Sequence, residues 1–217
     1  PLLYLPVRGG PVAGVTRWMA TLDGVAETEL KRGFNQKTLR LWMREAGDFR
    51  AFSVIRHPVP RLYEAFCRHL LEPGPERIED LWLSLKAVYQ MPFPAAPDDP
   101  AYDLAAHRAL FLQFAKFVTG NLSGQTSLRT DASWASQLTI LQGVSTFAPP
   151  DMILREDSLA RDLPALAASI GRTAPPWQPE DRPARFPLDQ VYDASVEAAV
   201  RQAYPRDYLM FGFGDWR

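Results

Sequence analysis

Three short apolar runs, each ending at a loop signal, constrain the fold of this chain more than any other feature. They lie at Leu2–Val7, Ala51–Ile55 and Met152–Arg155, and they have the length and composition of buried strands. Long segments with helical periodicity separate them, as expected when parallel strands are joined by crossover connections. The sequence therefore predicts an α/β fold with a short parallel sheet flanked by many helices.

Apolar residues recur at helical spacing between these runs. The clearest stripes extend from Leu104 to Val118 and from Leu159 to Ile170, and Gly171 is placed to end the second helix. Two proline-rich segments, 91–100 and 174–187, lack this periodicity and are predicted to be irregular surface connections. Further helices are predicted near residues 11–22, 26–46, 60–71, 76–90, 134–146 and 189–204.

Length and composition favour a single domain spanning residues 1–217, with 47% hydrophobic residues to form its core. The net charge of −1 is not that of a general nucleic-acid-binding protein, so no nucleic acid is expected as partner. The chain has a single cysteine, Cys67, which favours a reducing compartment. No Cys or His residues have the spacing of zinc ligands, so we expect a protein without a bound metal. No apolar stretch is long enough for membrane insertion, so we expect a cytoplasmic protein.

A glycine-rich turn follows the first predicted strand. Arg8, Gly9, Gly10 and Gly14 precede or open an amphipathic helix that also carries Thr16. Glycines let backbone amides approach a phosphate closely, and the positive end of a helix favours an anion. The turn lacks the GxxxxGK[ST] pattern of nucleotide triphosphatases. The same residues are equally compatible with a turn that only connects a strand to a helix.

The second predicted strand is followed by Arg56, whose guanidinium is suited to a phosphate at that position. In the helix that comes next, Glu64 has Arg61 three residues before it and Arg68 four residues after it. This spacing is typical of ion pairs on a helix surface.

The segment VIRHPVPRLYEAF resembles the R-x-P-x-x-R-L-x-S-A-[YF] signature of sulfotransferase family 2, the carbohydrate and nodulation-type enzymes. The matching positions are Arg56, Pro58, Arg61, Leu62, Ala65 and Phe66. Two later parts of the chain agree in order. DASWASQLTIL and DMILREDSLARDL, at 131–141 and 151–163, resemble the family's Trp-x-x-Gln helix and the acidic step after a strand. AYPRDYLMFGFG, at 203–214, resembles its closing motif.

The resemblance implies a fold akin to P-loop-containing nucleoside triphosphate hydrolases. It also implies transfer of a sulfuryl group from 3′-phosphoadenosine 5′-phosphosulfate (PAPS) to a hydroxyl of a saccharide or related small acceptor, without a metal. Arg56 would hold the 3′-phosphate, and Arg8 would be catalytic by stabilising charge on the leaving phosphate. The 5′ end would be held by Arg8, Gly9, Gly10, Gly14 and Thr16. Neither the acceptor nor the oligomeric state follows from the sequence.

This chain departs from the family at three positions. Arg8 stands where the family usually has a loop lysine, which is not an equivalent residue. Glu64 stands at the helix serine that contacts the 3′-phosphate, and there a carboxylate about 4 Å from a phosphate is repelled by about 4 kcal/mol at an effective dielectric near 20. That repulsion is avoided if Glu64 turns to Arg61 or Arg68. Ser133 stands where many eukaryotic relatives have a histidine, so no general base is evident.

Three functions follow from these observations. The first is a PAPS-dependent sulfotransferase. The second is a catalytically degenerate binding or regulatory domain with the same scaffold, favoured by Glu64 and by the missing lysine. The third, an ATP-dependent kinase, is disfavoured because the loop lysine and a magnesium-binding aspartate are missing.

Other titratable residues are weaker candidates. His57 is interpreted as a loop residue, and His107 as a buried histidine on an apolar stripe. Glu156 follows the third predicted strand, where it is expected to cap the next helix, to pair with Arg155 or Arg161, or to contact a substrate.

Overall fold

The computed structural model of the protein describes residues 1–96 and 99–216. Within these ranges the strands are Leu2–Tyr4 (β1), Arg50–Ile55 (β2) and Met152–Arg155 (β3). The helices are Val12–Asp23 (α1), Gln36–Ala46 (α2), Pro58–Phe66 (α3), Glu79–Ala87 (α4), Leu104–Leu122 (α5), Gln137–Ser145 (α6), Leu159–Ala168 (α7), Leu188–Val191 (α8), Ala194–Ala203 (α9) and Pro205–Phe211 (α10).

Contacts within the chain define two compact units. Unit 1 comprises Pro1–Arg56 and Thr139–Asp181, and unit 2 comprises His57–Leu138 and Arg182–Arg217. Each unit combines two stretches that lie far apart in the sequence. The expectation of one domain over residues 1–217 stays a prediction.

Unit 1 contains a parallel sheet, in which the described strands follow the order β1–β2–β3. Leu3 pairs with Ala51 between β1 and β2, and Val54 pairs with Leu154 between β2 and β3. The predicted α/β character, with a short parallel sheet and many helices, is therefore confirmed. The central strand β2 is buried at every position except its first.

Side chains alternate along the strands, so the sheet has two apolar faces. On one face, Phe52 and Val54 pack with Trp18 of α1 and with the leucines of α7. On the opposite face, Ala51 packs with α2, including Trp42. Helices thus cover both faces, which is why these parallel strands read as nearly continuous apolar runs.

The strand boundaries agree closely with the sequence patterns. The third predicted strand, Met152–Arg155, is confirmed to the residue. The first ends at Tyr4, three residues earlier than expected. Its pairing with β2 extends only to the bond from Leu5 N to Phe52 O, 2.8 Å long. Pro6 follows, and proline, which fixes φ and lacks an N–H, is found at the ends and edges of strands.

The predicted helix at 26–46 is shorter than expected, because α2 begins only at Gln36. Gly33 has φ +67°, a left-handed conformation that interrupts a helix. Asn35 then caps α2, since its side-chain oxygen accepts from Thr38 N at 2.9 Å.

Unit 2 is helical, and α5 packs in it against α3 and α9. Aromatic rings fill the space between α3 and α5, with Phe66 5.3 Å from Phe111 and 5.7 Å from Phe114 between ring centroids. The predicted helix at 60–71 is α3 followed by a π-helical turn, Cys67–Leu71.

The two proline-rich segments contain no helix or strand among their described residues, as expected. Of the predicted connection at 91–100, Pro97 and Asp98 lie outside the described residues.

Candidate anion-binding site

The glycine-rich turn lies at the carboxyl end of the sheet. Gly10 N donates to Val7 O at 3.0 Å, and Gly9, between them in the turn, has φ +80°. A positive φ at the third residue of a turn is a conformation that glycine adopts without strain. A Cβ on Gly10 would lie 3.0 Å from Val7 O and 3.5 Å from Val54 O. The turn is therefore packed against the end of β2, and Arg56 is the next residue after that strand.

The first turn of α1 already holds an anionic group. The backbone N–H of Gly14 donates to the Glu180 carboxylate, with 2.5 Å between N and Oε1. A carboxylate is stabilised there because the amides at the start of a helix lack partners within the helix and carry partial positive charge. The position predicted to receive a phosphate thus receives a side chain of the same unit.

The segment 172–180 reaches this position by running along α1. Arg172 forms an ion pair with Asp23 at 2.9 Å, near the end of the helix. In the middle, Trp18 Nε1 donates to Pro175 O at 3.1 Å. The carboxylate at the first turn holds the other end, so the segment is attached over the length of α1.

Gly14 is required by this segment. A Cβ at Gly14 would lie 2.9 Å from Cη2 of Trp177 and 3.2 Å from Glu180 Oε1. Trp177 itself packs against the core formed by α1, α7 and the sheet. The glycine predicted to admit a phosphate thus admits an indole ring and a carboxylate.

The other two predicted residues of the turn region differ in their surroundings. Arg8 is exposed at the corner of the turn. Thr16 Oγ1 donates to Val12 O at 2.7 Å, one helical turn back. Its hydroxyl is therefore used within α1.

Arg56 follows β2 directly, and its side chain is only 12% exposed. Its Nε lies 2.7 Å from Glu156 Oε2. The register explains this pair, because Ile55 is opposite Arg155 and the next residues of both strands are Arg56 and Glu156. The sequence around Glu156 indicates other partners, because no local pattern shows that β2 and β3 are neighbours.

Glu64 belongs to unit 2, where two guanidinium groups neutralise it. Its carboxylate lies 3.2 Å from Arg68 Nη1 and 2.8 Å from Arg182 Nη1. The pairing with Arg68 was predicted from helical spacing. The pairing with Arg182 joins residues far apart in sequence, and no local pattern indicates it.

The remaining motif residues of unit 2 have structural contacts. Arg61 is buried and donates to Ala132 O at 3.0 Å and to Ala135 O at 2.8 Å. The turn before α6 is therefore held by the second arginine of the signature.

The closing motif is attached to the same turn. Asp207, fully buried, accepts from Ser136 Oγ at 2.6 Å and from Gln137 N at 2.9 Å. Tyr204 donates its hydroxyl to Trp134 O at 2.7 Å. These residues cap α6 and fix the chain that leads into it.

Two of the histidines considered from the sequence have structural contacts instead of a free ring edge. His57 caps α3, since its Nδ1 accepts from Val59 N at 3.2 Å. His107 lies between two tyrosine hydroxyls, 2.8 Å from Tyr63 and 3.1 Å from Tyr102. Burial, with a smaller effect from the charge of Arg185, lowers the pKa of His107 to about 4. This agrees with its interpretation as a buried histidine.

Comparison with protein families, with curated proteins and with solved structures finds no significant match to this chain. The likeness to sulfotransferase family 2 therefore rests on the sequence motifs. Within residues 1–96 and 99–216, no three His, Cys, Asp or Glu side chains are grouped so as to hold a metal ion. No helix in these ranges has the length and apolar character needed to cross a membrane.

Glu180 is the residue of this site that sequence reasoning missed. A signal was present nearby, because Trp177 in a proline-rich segment is expected to pack against the core. Glu180 follows Trp177 by three residues, and both side chains contact the same part of α1. What the sequence does not indicate is that this surface is the first turn of α1.

Proposed function

We propose that this chain is a sulfotransferase-like binding or regulatory domain. In it, carboxylates of the protein itself bind the groups that would hold the phosphates of PAPS in an active enzyme. One observation carries this proposal. The two groups of unit 1 best suited to phosphate, the Gly14 amide and the Arg56 guanidinium, are bound to Glu180 and Glu156. A fold akin to P-loop nucleotide-binding proteins is part of the same proposal.

At the first turn of α1, a nucleotide phosphate would have to displace Glu180. A hydrogen bond to a charged group contributes roughly 1.5–3 kcal/mol. Its loss would lower nucleotide affinity by about 10- to 100-fold. The phosphate would gain a similar hydrogen bond from Gly14 N in place of the one to Glu180. Replacing one anion by the other therefore adds little to the affinity for the nucleotide.

At Arg56, a phosphate would approach the neighbouring Glu156. At about 4 Å and an effective dielectric near 20, two like charges repel by about 4 kcal/mol. This is comparable to the attraction that Arg56 would offer at the same distance. The pair thus presents a nearly neutral surface to an anion.

A PAPS-dependent sulfotransferase is the second candidate, with a hydroxyl of a saccharide or related small acceptor as its target. It is favoured by the position of the Arg8–Gly9–Gly10 turn against the end of β2, the strand that leads into Arg56. In that case Arg8 would stabilise the leaving phosphate, Arg56 would hold the 3′-phosphate, and segment 172–180 would move away from α1.

Isothermal titration with 3′-phosphoadenosine 5′-phosphate and with ATP separates the two candidates. We expect the wild-type protein to bind either nucleotide no more tightly than about 1 mM. Glu180→Gln and Glu156→Gln should each strengthen binding of 3′-phosphoadenosine 5′-phosphate by about 10-fold, because each removes a competing charge.

The matched control is Asp157→Asn. It removes a carboxylate from the same short turn as Glu156, and Asp157 pairs with Arg155 instead of Arg56. Its affinity should equal that of the wild type. Micromolar binding by the wild type, unchanged in both glutamine variants, would contradict the proposal and favour the transferase.

A further inference from the structure

A cavity of about 790 Å³ lies in unit 1 beside β1. Every residue from Pro1 to Pro6 lines it. Because side chains alternate across a strand, consecutive lining residues place the cavity along the edge of β1 and not over one face of the sheet. One side of α1, the segment 29–36 and part of α2 form its other walls.

The walls are largely hydrophobic, with Leu2, Met19, Phe34 and Trp42 among them. Phe147 also lines the cavity and leaves 46% of its surface exposed. The volume is within the range of about 300–1,000 Å³ that is usual for small-molecule pockets. An apolar ligand that fills this cavity would remove apolar side chains from contact with water.

Charged residues line one part of this cavity, and all but one are already engaged. Asp23 forms its ion pair with Arg172. Glu29 accepts from the backbone N–H of residue 26, and Arg32 donates to the carbonyl of residue 27. For Lys31, the described part of the chain holds no carboxylate within ion-pair distance. The ammonium group of Lys31 therefore has no carboxylate partner among the described residues, whereas the carboxylate of Glu29 is bound by a neutral amide.

The chain that follows Lys31 is basic. Residues 31–44 include five basic and no acidic side chains. Lys37, Arg40 and Arg44 are exposed on α2 at spacings of three and four residues, which places them on one side of the helix. Clustered charge of one sign raises the local concentration of ligands of opposite charge. We therefore expect the ligand to carry its negative charge at the part of the cavity lined by Lys31.

We propose that the cavity binds a small amphiphilic anion, with its apolar chain along the edge of β1 and a single carboxylate at Lys31. Hydrophobic burial supplies most of the affinity, and the ammonium group sets the orientation of the chain. This inference goes beyond the proposed function. Because it concerns neither Glu180 nor Glu156, nucleotide binding and anion binding succeed or fail separately.

Calorimetric titration with monomeric decanoate tests the proposal. We expect a dissociation constant below about 100 µM for the wild-type protein. Decyltrimethylammonium, which has the same chain and the opposite charge, should bind at least about 10-fold more weakly. Vesicles of phosphatidylcholine with phosphatidylglycerol should show no binding, because the proposed ligand is a single molecule enclosed by the cavity.

Variants locate the ligand. Leu30→Trp fills the cavity and should abolish decanoate binding, with circular dichroism and thermal unfolding as checks of its fold. Lys31→Glu should weaken binding by about 10-fold or more. Lys37→Glu makes the same charge change on a residue that does not line the cavity, and should weaken binding by less than about 3-fold.

Tryptophan fluorescence tests the location of the ligand without the Leu30→Trp variant. Brominated decanoate should quench tryptophan emission in the wild type, and Trp42→Phe should remove most of that quenching. Absence of decanoate binding would overturn the proposal. So would equal binding of the cationic analogue, equal effects of Lys31→Glu and Lys37→Glu, or binding to vesicles alone.

Discussion

Arg61 carries a full positive charge in a side chain that is almost completely buried. Two backbone carbonyls, Ala132 O and Ala135 O, accept its hydrogen bonds. Buried charges are tolerated only when they are paired or hydrogen-bonded. The guanidinium thus fixes the turn before α6, and an arginine that matches a ligand-binding signature serves the stability of unit 2.

Arg61→Met should therefore lower the free energy of unfolding by about 3 kcal/mol, because the carbonyls of Ala132 and Ala135 lose charge-assisted bonds to a buried guanidinium. Arg68→Met is the matched control, since Arg68 is exposed and its ion pair with Glu64 is worth at most about 1 kcal/mol. Urea denaturation measures both. Equal losses in the two variants would show that the carbonyl contacts of Arg61 do not stabilise the turn.

His107 makes stability depend on pH. Its pKa is lowered from 6.5 to about 4 in the folded protein, chiefly by burial. The unfolded chain binds the proton more readily, so the stabilisation is complete above about pH 6.5 and is lost as the pH falls towards about 4.

Between about pH 7.5 and about pH 4.5, His107 should account for a loss of about 2 kcal/mol in the free energy of unfolding. His107→Gln should unfold with a correspondingly flatter pH dependence, measured by urea denaturation at both values. If wild type and variant lose the same free energy over this interval, His107 is not the titrating group.

At the scale of elements, the glycine-rich turn depends on the backbone of Gly9. Gly9→Ala places a Cβ on a residue with φ +80° and should cost about 1–2 kcal/mol. Gly143→Ala is the opposite case, in an exposed helix interior where a Cβ meets nothing within 4 Å. It should stabilise the protein by up to about 1 kcal/mol. Thermal unfolding distinguishes the two, and a neutral Gly9→Ala would contradict the described turn.

Most elements could be predicted from the sequence because their signals are local. The strand β3 is an apolar run between a Pro-Pro pair and an acidic turn, and its limits were predicted correctly. The start of α2 has a recognisable cap in Asn35, although the apolar spacing before it suggested a longer helix.

The position of segment 172–180 could not be predicted in this way. It has no periodicity, and the contacts of Arg172, Trp177 and Glu180 with α1 join residues more than 140 positions apart. The same holds for Arg56 and Glu156, whose pairing follows only once the strand order is known. The candidate residues could thus be identified from the sequence, but the residues that they contact could not.

For the molecule as a whole, the residues that carry the resemblance divide between the two units. In unit 1 the matching residue Arg56 is bound by Glu156, and Gly14 of the glycine-rich turn region, outside the matching positions, is bound by Glu180. In unit 2 they are neutralised or hold a turn, as Glu64 and Arg61 show. This distribution supports the proposed binding or regulatory domain, in which the motif residues contribute mainly to the stability of the chain itself.

The Gly14 amide in the ¹H–¹⁵N NMR spectrum tests this account most directly. Glu180→Gln should move its cross-peak upfield in the proton dimension, because the amide loses a charged acceptor at 2.5 Å. Titration of the wild type with 3′-phosphoadenosine 5′-phosphate up to about 0.1 mM should leave the peak almost unmoved, whereas the peak of the variant should shift clearly. A wild-type cross-peak that shifts at micromolar nucleotide would show that the site accepts the donor.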